Sequence, residues 1–541
     1  MLLKIRHALL EITNQPNAKQ SAVIINNEII ITSAGILQTY VRPTLPFVAD
    51  DSNENVCAST KIIRKLQQCK LIDIQSGDTE ESRFLLFLNF QVMFDHRKLP
   101  RTSMQYVHTG RVDYILKRYR AKLLYIFSSE EISRNFHKLS NRKGLSEEAI
   151  TEHNEVLLTS FLILSTHPEK VNPPERFQRS LEQIAHYLRY QYSVRALDDV
   201  LIICTPFGME NFYKTVSIGK VSNVLGHGNG SLFVLSNILP GCEGSAVFNN
   251  KLRLIGLIVC TSFQCDQGRI DMTLVANFAY LLRDFMKQLG IKITSFTLPR
   301  EPSDFACKLQ LLRGITYLLS LLLRERSLVI IEAAGKQGTG TFVKVQNKKF
   351  ILTCSHVVFE VSSKVQCRNM NGTFKSEVLW RNPHYGTAFD VALLSIPQNI
   401  PDRHCVRLAH TKPCLGQRVY NAGFPYFVNF NLKYDFNPSI FQGRVIRFTP
   451  AVIMSDGCVQ AGQSGGPMFN EHGNMMGICV SNIKVDETVY PNFNSAVPVI
   501  SIRSILEDYA QTNDIRILNN LVANQDVQKL WSLANSTISK L

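Results

Sequence analysis

Ser464 is the residue whose surroundings most clearly predict chemistry. Residues 461–469 read Ala-Gly-Gln-Ser-Gly-Gly-Pro-Met-Phe, and the glycines allow a tight turn that exposes a serine hydroxyl. In such a turn the amides of Gly462 and Ser464 can converge on one point and stabilise a carbonyl oxygen as it becomes an anion. The stretch therefore predicts a nucleophilic serine beside an oxyanion hole; the alternative is a glycine-rich turn without chemistry.

A nucleophilic serine needs a histidine to take its proton and a carboxylate to orient that histidine. Both have candidates upstream: His356 follows the apolar run 350–353, and Asp390 precedes the apolar run Val-Ala-Leu-Leu. Taken singly, each residue type is more often structural at a strand end. The order His356, Asp390, Ser464 is that of chymotrypsin-like enzymes, so together they predict a catalytic triad.

These motifs resemble those of the trypsin-like serine proteases, in particular the HtrA/Deg-type branch. The resemblance covers about residues 327–510, through Thr-Cys-Ser-His-Val-Val, Asp-Val-Ala-Leu-Leu, Gly-Gln-Ser-Gly-Gly-Pro and, more weakly, Gly-Thr-Gly-Thr-Phe. It implies a mainly β fold in which two six-stranded barrels hold the triad in their cleft. His356 and Asp390 would lie on the first barrel and Ser464 on the second, and no cofactor is expected.

The elements needed to position these residues are visible as short apolar strands at regular spacing, a pattern typical of closed antiparallel barrels. We predict a catalytic domain over 327–512 that ends in a helix at 499–511. The predicted strands of this domain are 328–332, 340–345, 350–353, 391–396, 417–422, 443–448 and 475–481.

The flanking segments are predicted from composition. Residues 309–323 are the most apolar stretch, but they are too short to span a bilayer comfortably. We therefore expect a linker helix over 301–326 and no membrane span. The tail over 513–541 is expected to contain a short helix at 526–538.

An internal repeat predicts a second trypsin-like module over residues 1–300. Alignment of the two halves places Gly35, Asp199 and Glu243 at the positions of the triad histidine, aspartate and serine, in that order. A glutamate lacks the activated hydroxyl, so this module is predicted to be degenerate. The alternative is that two β-rich halves share turn patterns by chance.

The first module is longer than the second, and the excess falls at about residues 45–190. This part contains Lys/Arg-rich stretches at 61–70 and 111–122 and a predicted helix at 175–192. We expect a surface insertion that leaves the barrel and serves as an interaction subdomain or a processing site.

Composition bounds the remaining function classes. The chain has 541 residues, 45% hydrophobic and 19% charged, a mix typical of soluble globular proteins. Its net charge of +15 could indicate nucleic-acid or anionic-membrane binding, but the positive residues are spread out without a nucleic-acid-binding motif, so no nucleic-acid partner is predicted. The 13 cysteines include no C-x-x-C pair, so no metal site is predicted and free thiols are expected.

Ser539-Lys540-Leu541 matches a peroxisomal address that is read at a free carboxyl terminus. With the degenerate first module and the intact triad, the chain resembles the peroxisomal Deg-type proteases. The resemblance implies a serine endopeptidase of the peroxisomal matrix that removes leader peptides from imported enzymes, including enzymes of fatty-acid β-oxidation. It also implies self-processing and homo-oligomers. The expected partners are these precursors and the import receptor that reads the tripeptide.

A second interpretation remains open at this point. Both modules could be non-catalytic, forming a chaperone-like scaffold that holds targeting peptides in trypsin-like clefts. Cys458, six positions before Ser464, stands where trypsin-like enzymes often determine their primary specificity. An uncharged residue there argues against a simple preference for Lys or Arg, although Asp456 lies nearby.

Overall fold

The structure is a computed structural model that divides into two compact units. Unit 1 comprises residues 1–194, 198–219 and 224–301, and unit 2 comprises residues 195–197, 220–223 and 302–541. The described residues are 5–13, 15–26, 29–38, 40–41, 54–95, 116–140, 156–166, 180–184, 186, 194–225, 230–236, 238, 241–261, 263–265, 268–270, 272–291, 327–360, 364–369, 371–384, 386–396, 400–425, 438–485 and 488–536. The predicted linker helix at 301–326 and the tripeptide 539–541 lie outside them.

Unit 1 begins with a sheet that closes on itself, here called barrel A. A seven-stranded sheet has the order β4-β6-β5-β1-β2-β3-β7, and an additional β6–β7 pairing closes six of its strands into a ring. The strands are β1 (Ile5–Ile12), β2 (Gln15–Ile25), β3 (Ile29–Ser33), β4 (Ile72–Asp73), β5 (Phe90–Asp95), β6 (Leu116–Ser128) and β7 (Ser160–Ser165).

The expected surface insertion at 45–190 is wrong in one respect: it supplies three of the six strands that close barrel A, and β4 beside them. β5, β6 and β7 all fall within it, and β6 pairs with both β5 and β7. The Lys/Arg-rich stretch at 111–122 hid β6 because the basic side chains at its start face solvent, while Leu123, Leu124, Ile126 and Phe127 are buried. Strands alternate their faces, so a charged run is compatible with a barrel wall. The stretch at 61–70 is mostly helical, within Glu54–Gln67.

The second barrel of unit 1, barrel B, is closed in the order β10-β15-β12-β11-β8-β9, and a two-stranded sheet, β13-β14, accompanies it. The strands are β8 (Asp199–Cys204), β9 (Thr215–Leu225), β10 (Leu232–Ser236), β11 (Ala246–Asn249), β12 (Leu254–Cys260), β13 (Phe263–Cys265), β14 (Gly268–Ile270) and β15 (Met272–Asn277).

Unit 2 contains two further closed barrels. Barrel C has the order β16-β17-β18-β21-β20-β19 and barrel D the order β22-β23-β24-β27-β26-β25. The strands are β16 (Leu328–Ala333), β17 (Lys336–Val345), β18 (Lys348–Thr353), β19 (Lys364–Asn369), β20 (Gly372–Arg381), β21 (Ala392–Leu394), β22 (Arg418–Gly423), β23 (Ser439–Phe448), β24 (Ile453–Ser455), β25 (Pro467–Phe469), β26 (Met475–Val485) and β27 (Thr488–Pro498). The mainly β prediction of tandem double-barrel modules is confirmed.

Alternating apolar side chains fill these barrels. In barrel D a core cluster includes Val419, Ile453, Met468 and Ala496, each from a different strand and each nearly fully buried. In barrel C, Gly340 is required by close packing, because a Cβ there would lie 2.6 Å from the Ile351 side chain and 2.8 Å from that of Ile331.

Helices complete the described structure. They lie at Glu54–Gln67, Glu80–Leu86, Glu130–Ser140, Phe278–Gln288, Val499–Thr512 and Gln525–Ser536. The helices predicted at 499–511 and 526–538 correspond to the last two. None of the helices in the described ranges is both long and apolar enough to cross a membrane.

Candidate active site

His356 lies in the 3₁₀ turn Ser355–Val357, directly after β18. β18 runs between β17 and β21 in barrel C, with Thr353 opposite Ala392. This register brings the start of β21, and with it Asp390, next to the turn. The His356 side chain is 27% exposed, so its ring can reach an incoming substrate.

Asp390 is held by three hydrogen bonds. Its Oδ2 lies 2.5 Å from Nδ1 of His356, while its Oδ1 accepts from the His356 amide at 3.0 Å and from the Ser355 hydroxyl at 2.5 Å. Burial by itself would raise the pKa of Asp390, but the hydrogen bonds and the charge of His356 outweigh it and lower the pKa below its usual value. The carboxylate is therefore ionised at neutral pH and fixes the ring with Nδ1 as donor. Sequence reasoning missed Ser355, although it stands within the histidine motif.

Ser464 lies in the loop before β25 of barrel D, and this loop packs against barrel C. The Thr339 amide donates to the Ser464 carbonyl at 2.8 Å. Gly465 has φ +86°, and a Cβ there would meet the Thr339 carbonyl oxygen and the Thr353 hydroxyl at 2.2 Å and the Cys354 amide at 2.9 Å. Glycine at 465 thus lets the serine loop approach the strand that carries His356.

The Ser464 hydroxyl itself points elsewhere in this structure. It donates to the Val480 carbonyl at 3.0 Å, and within the described part of the chain no hydrogen bond joins it to His356. The sequence led us to expect that contact. In substrate-free sites such hydrogen bonds are often absent or long and form only with substrate.

The amides expected to form an oxyanion hole are available. Among the described residues, the amides of Gly462 and Ser464 donate to no protein group, whereas those of Gln463, Gly465 and Gly466 are all satisfied. Gly462 has φ +91°, and its carbonyl accepts from the Thr339 hydroxyl at 2.9 Å. Unsatisfied amides in an otherwise hydrogen-bonded turn are the feature that an oxyanion hole requires.

One cluster of metal-ligand types overlaps this site. Donor atoms of Cys354, His356 and Asp390 lie within 4.8 Å of one another. The Cys354 thiol is buried and donates to the Cys479 carbonyl at 3.2 Å, and burial raises its pKa well above the usual range. Because Nδ1 of His356 is bonded to Oδ2 of Asp390, a metal ion bound to these two atoms would replace that hydrogen bond.

The residues beside the predicted specificity position are internally paired. Cys458 is buried and accepts from Gln460 Nε2 at 3.0 Å, while Asp456 is exposed and accepts from the Arg444 amide at 2.5 Å. Asp456 is therefore committed to the backbone of β23.

Unit 1 repeats the backbone of this site. Its loop 241–245 makes the same bonds as 462–466: the Gly244 amide donates to the Ile258 carbonyl at 2.8 Å, as that of Gly465 does to Cys479 at 2.8 Å. The match extends to Thr32, whose hydroxyl donates to the Ser21 carbonyl at 2.7 Å as that of Thr353 does to Thr339 at 2.8 Å. These bonds place Gly35 where His356 stands and Glu243 where Ser464 stands.

Asp199 is not the counterpart of Asp390, and this part of the alignment is wrong. Asp199 opens β8, which belongs to barrel B and pairs with β11. In barrel A the register places Thr32 opposite Leu162, as Thr353 lies opposite Ala392 in barrel C. Two residues before Leu162 stands Ser160, so a serine occupies the aspartate position.

The chemistry of unit 1 at this loop is accordingly different. Gly35 has no side chain, and the Glu243 Oε1 accepts from the amide and hydroxyl of Thr261 at 3.2 and 2.7 Å. None of the three triad residue types remains at its position.

The comparison with known families agrees with this geometry. Residues 338–478, which include all three predicted triad positions, match the family model described as the trypsin-like peptidase domain. Over these residues the chain is similar to trypsin-like peptidase domains.

Curated relatives extend the likeness beyond the peptidase domain. The human protein named peroxisomal leader peptide-processing protease is 28% identical over 357 residues, 62% of this chain and 59% of the human one. The mouse protein of the same name is 26% identical over 368 residues, with the same two coverages of 62% and 59%. The serine protease Do-like HtrA of Bacillus subtilis is 26% identical over 196 residues, 33% of this chain and 40% of that protein. The resemblance predicted from the sequence is confirmed, and the match spans about three fifths of the length of the mammalian relatives.

Proposed function

We propose that this protein is a peroxisomal serine endopeptidase that removes leader peptides from imported matrix enzymes. The observation that carries the proposal is the hydrogen bond between His356 and the buried Asp390, with the Ser464 loop packed against the strand that precedes His356. The names of the human and mouse relatives support the leader-peptide substrate and the peroxisomal location.

Catalysis would begin when a bound peptide turns the Ser464 hydroxyl from the Val480 carbonyl towards His356. His356 Nε2 takes the proton as the serine oxygen attacks the scissile carbonyl, and Asp390 stabilises the imidazolium that forms. The amides of Gly462 and Ser464 bind the oxyanion. His356 then protonates the leaving amine, and water releases the acyl group by the same steps in reverse order.

The partners follow as part of the same proposal. Precursors of matrix enzymes are the substrates, and the peroxisomal import receptor is a further partner. Self-processing would require a second copy or a flexible segment to enter the same site, and homo-oligomers would provide that second copy. No nucleic-acid partner is included.

The test is cleavage of a leader-bearing precursor by the purified protein. Wild type should produce the shortened enzyme, and Ser464→Ala should lose turnover by about 10⁶-fold, because triad members act as a unit. Ser504→Ala, an exposed serine on the helix Val499–Thr512, is the matched control and should cut normally. Incubation without substrate follows self-processing in the same variants. Normal cleavage by Ser464→Ala would refute the proposal.

A non-catalytic peptide-holding scaffold is the second candidate, and the Ser464–Val480 hydrogen bond favours it, because the hydroxyl is not yet activated. The same assay separates the two functions. A scaffold binds the precursor without shortening it, and Ser464→Ala then behaves like wild type in a pull-down and in the cleavage assay.

A further inference from the structure

The loop that presents Asp390 is held by several hydrogen bonds of its own. It joins β20 to β21 and is closed by the fully buried Asn382, whose side-chain amide donates to the Phe389 carbonyl at 3.0 Å and whose backbone amide donates to the Val391 carbonyl at 3.0 Å. Phe389, directly before Asp390, has φ +56°. A non-glycine residue in this conformation is strained and is maintained only when its surroundings fix it.

A segment near the end of the chain adds a further contact to this loop. Gln528, on the helix Gln525–Ser536, accepts the amide hydrogen of Ala388 with its Oε1 at 3.2 Å. Ala388 is fully buried and lies two residues before Asp390. The contact therefore acts on the loop backbone next to the carboxylate, across 140 positions of sequence.

The same segment has a second attachment on the strand that leads into the loop. Asn519 accepts from Trp380 Nε1 at 3.1 Å, and Trp380 lies on β20 opposite Leu393 of β21. Leu518 and Leu521 are completely buried. Residues 515–531 are thus packed onto barrel C at β20 and at the Asp390 loop, and are not a free tail.

We infer that Gln528 is a positioning residue for Asp390: by binding the Ala388 amide it holds the carboxylate in line with His356. The inference rests on the proposed function, since orientation of the imidazole matters only if the triad operates. A shift of about 1 Å in a catalytic group can reduce rate by about a hundredfold. Loss of the hydrogen bond between Gln528 and the Ala388 amide should have a smaller effect, because the hydrogen bonds of Asn382 to the same loop remain.

The experiment compares Gln528→Ala, Gln528→Glu and Lys529→Ala in the full chain, with wild type and Ser464→Ala alongside. Gln528→Glu keeps an oxygen that accepts from Ala388, and Lys529→Ala alters an exposed neighbour on the same helix. We expect Gln528→Ala to lower kcat on a leader-peptide substrate about tenfold with KM unchanged, within the range that positioning produces. Gln528→Glu should restore most of the rate, and Lys529→Ala should match wild type. Thermal unfolding followed by fluorescence of Trp380 and Trp531 measures stability separately.

The outcomes separate this inference from the proposed function. If wild type cleaves and Gln528→Ala has wild-type kcat, the positioning role is wrong while the protease assignment stands. If Gln528→Ala loses activity only in proportion to lost stability, or Gln528→Glu gives no rescue, the role is merely structural and the inference also fails. Inactive wild type, with no more turnover than Ser464→Ala, overturns the proposed function itself.

Discussion

Asp390 accepts more hydrogen bonds than orientation of an imidazole alone requires. The bonds from the Ser355 hydroxyl and the His356 amide fix Oδ1, so that Oδ2 is left facing Nδ1 of His356. A buried carboxylate without such partners would tend to take up a proton. The chain therefore combines burial of the carboxylate with enough hydrogen-bond donors to keep it charged.

Asp390→Asn should preserve the fold but nearly abolish activity. The amide is isosteric, but it favours the wrong tautomer of His356, and the corresponding change in a serine protease lowers kcat by about 10⁴. Peptidase activity on a leader-bearing precursor measures the loss, and near-UV circular dichroism verifies the fold. Retention of more than a tenth of the wild-type kcat would show that Asp390 is not the orienting carboxylate.

The triad residues could be recognised from sequence because each stands in a motif that positions it. Glycines form the turn around Ser464, and apolar strands lie next to His356 and Asp390. The misassigned Asp199 shows the limit of this reasoning. An aspartate before a short apolar run occurs at many strand starts, and only the pairing of β3 with β7 shows that Ser160 holds the position. Register is set by tertiary pairing and cannot be derived from a four-residue match.

The loop 462–466 lies between barrels C and D and contacts both. The Gly465 amide donates to the Cys479 carbonyl of β26, and the Cys479 amide donates back to the Gly466 carbonyl. On its other side the loop packs against Thr339 and Thr353 of barrel C. The same arrangement persists in unit 1 around Gly244, where nothing remains of the triad chemistry. We infer that these hydrogen bonds primarily serve to pack one barrel against the next. In unit 2 the catalytic serine lies on this same packing loop.

Gly465→Ala should therefore destabilise unit 2 strongly. The new Cβ meets backbone and hydroxyl oxygens at 2.2 Å while φ is +86°, and overpacking and left-handed strain together should cost about 3 kcal/mol or more. Gly416→Ala is the control: its φ is +76° but nothing lies within 4 Å, so only about 1–2 kcal/mol is expected. Both tryptophans of the chain, Trp380 and Trp531, lie in unit 2, so urea denaturation followed by their fluorescence reports on this unit. Equal losses for the two variants would contradict the close packing.

The sequence predicted where strands lie better than it predicted which barrel each strand belongs to. All seven strands proposed for the second half overlap observed strands, because alternation of apolar residues is a local signal. In the first half, β5, β6 and β7 were missed as barrel strands because long connections and solvent-facing basic residues interrupt the pattern. The hydrogen bond between Gln528 and Ala388 had no sequence signal at all, since it joins a polar helix to a loop far away in the chain.

The molecule contains the same double-barrel fold in both units, but the residues at the three triad positions differ. Unit 1 retains the barrels, the glycine loop and its hydrogen bonds, but carries Gly35, Ser160 and Glu243 at the three triad positions. Unit 2 retains the same backbone with histidine, aspartate and serine. We therefore expect catalysis in unit 2 alone.

Covalent labelling by a fluorophosphonate tests this claim most directly, because the reagent reacts with a serine only where an adjacent base and an oxyanion hole activate it. Full-length protein would be labelled at neutral pH, digested, and the modified residue located by mass spectrometry. We expect one label per chain, on Ser464, and no label in Ser464→Ala. A folded protein that takes no label, or takes it on a residue of unit 1, would show that Ser464 is not the activated nucleophile.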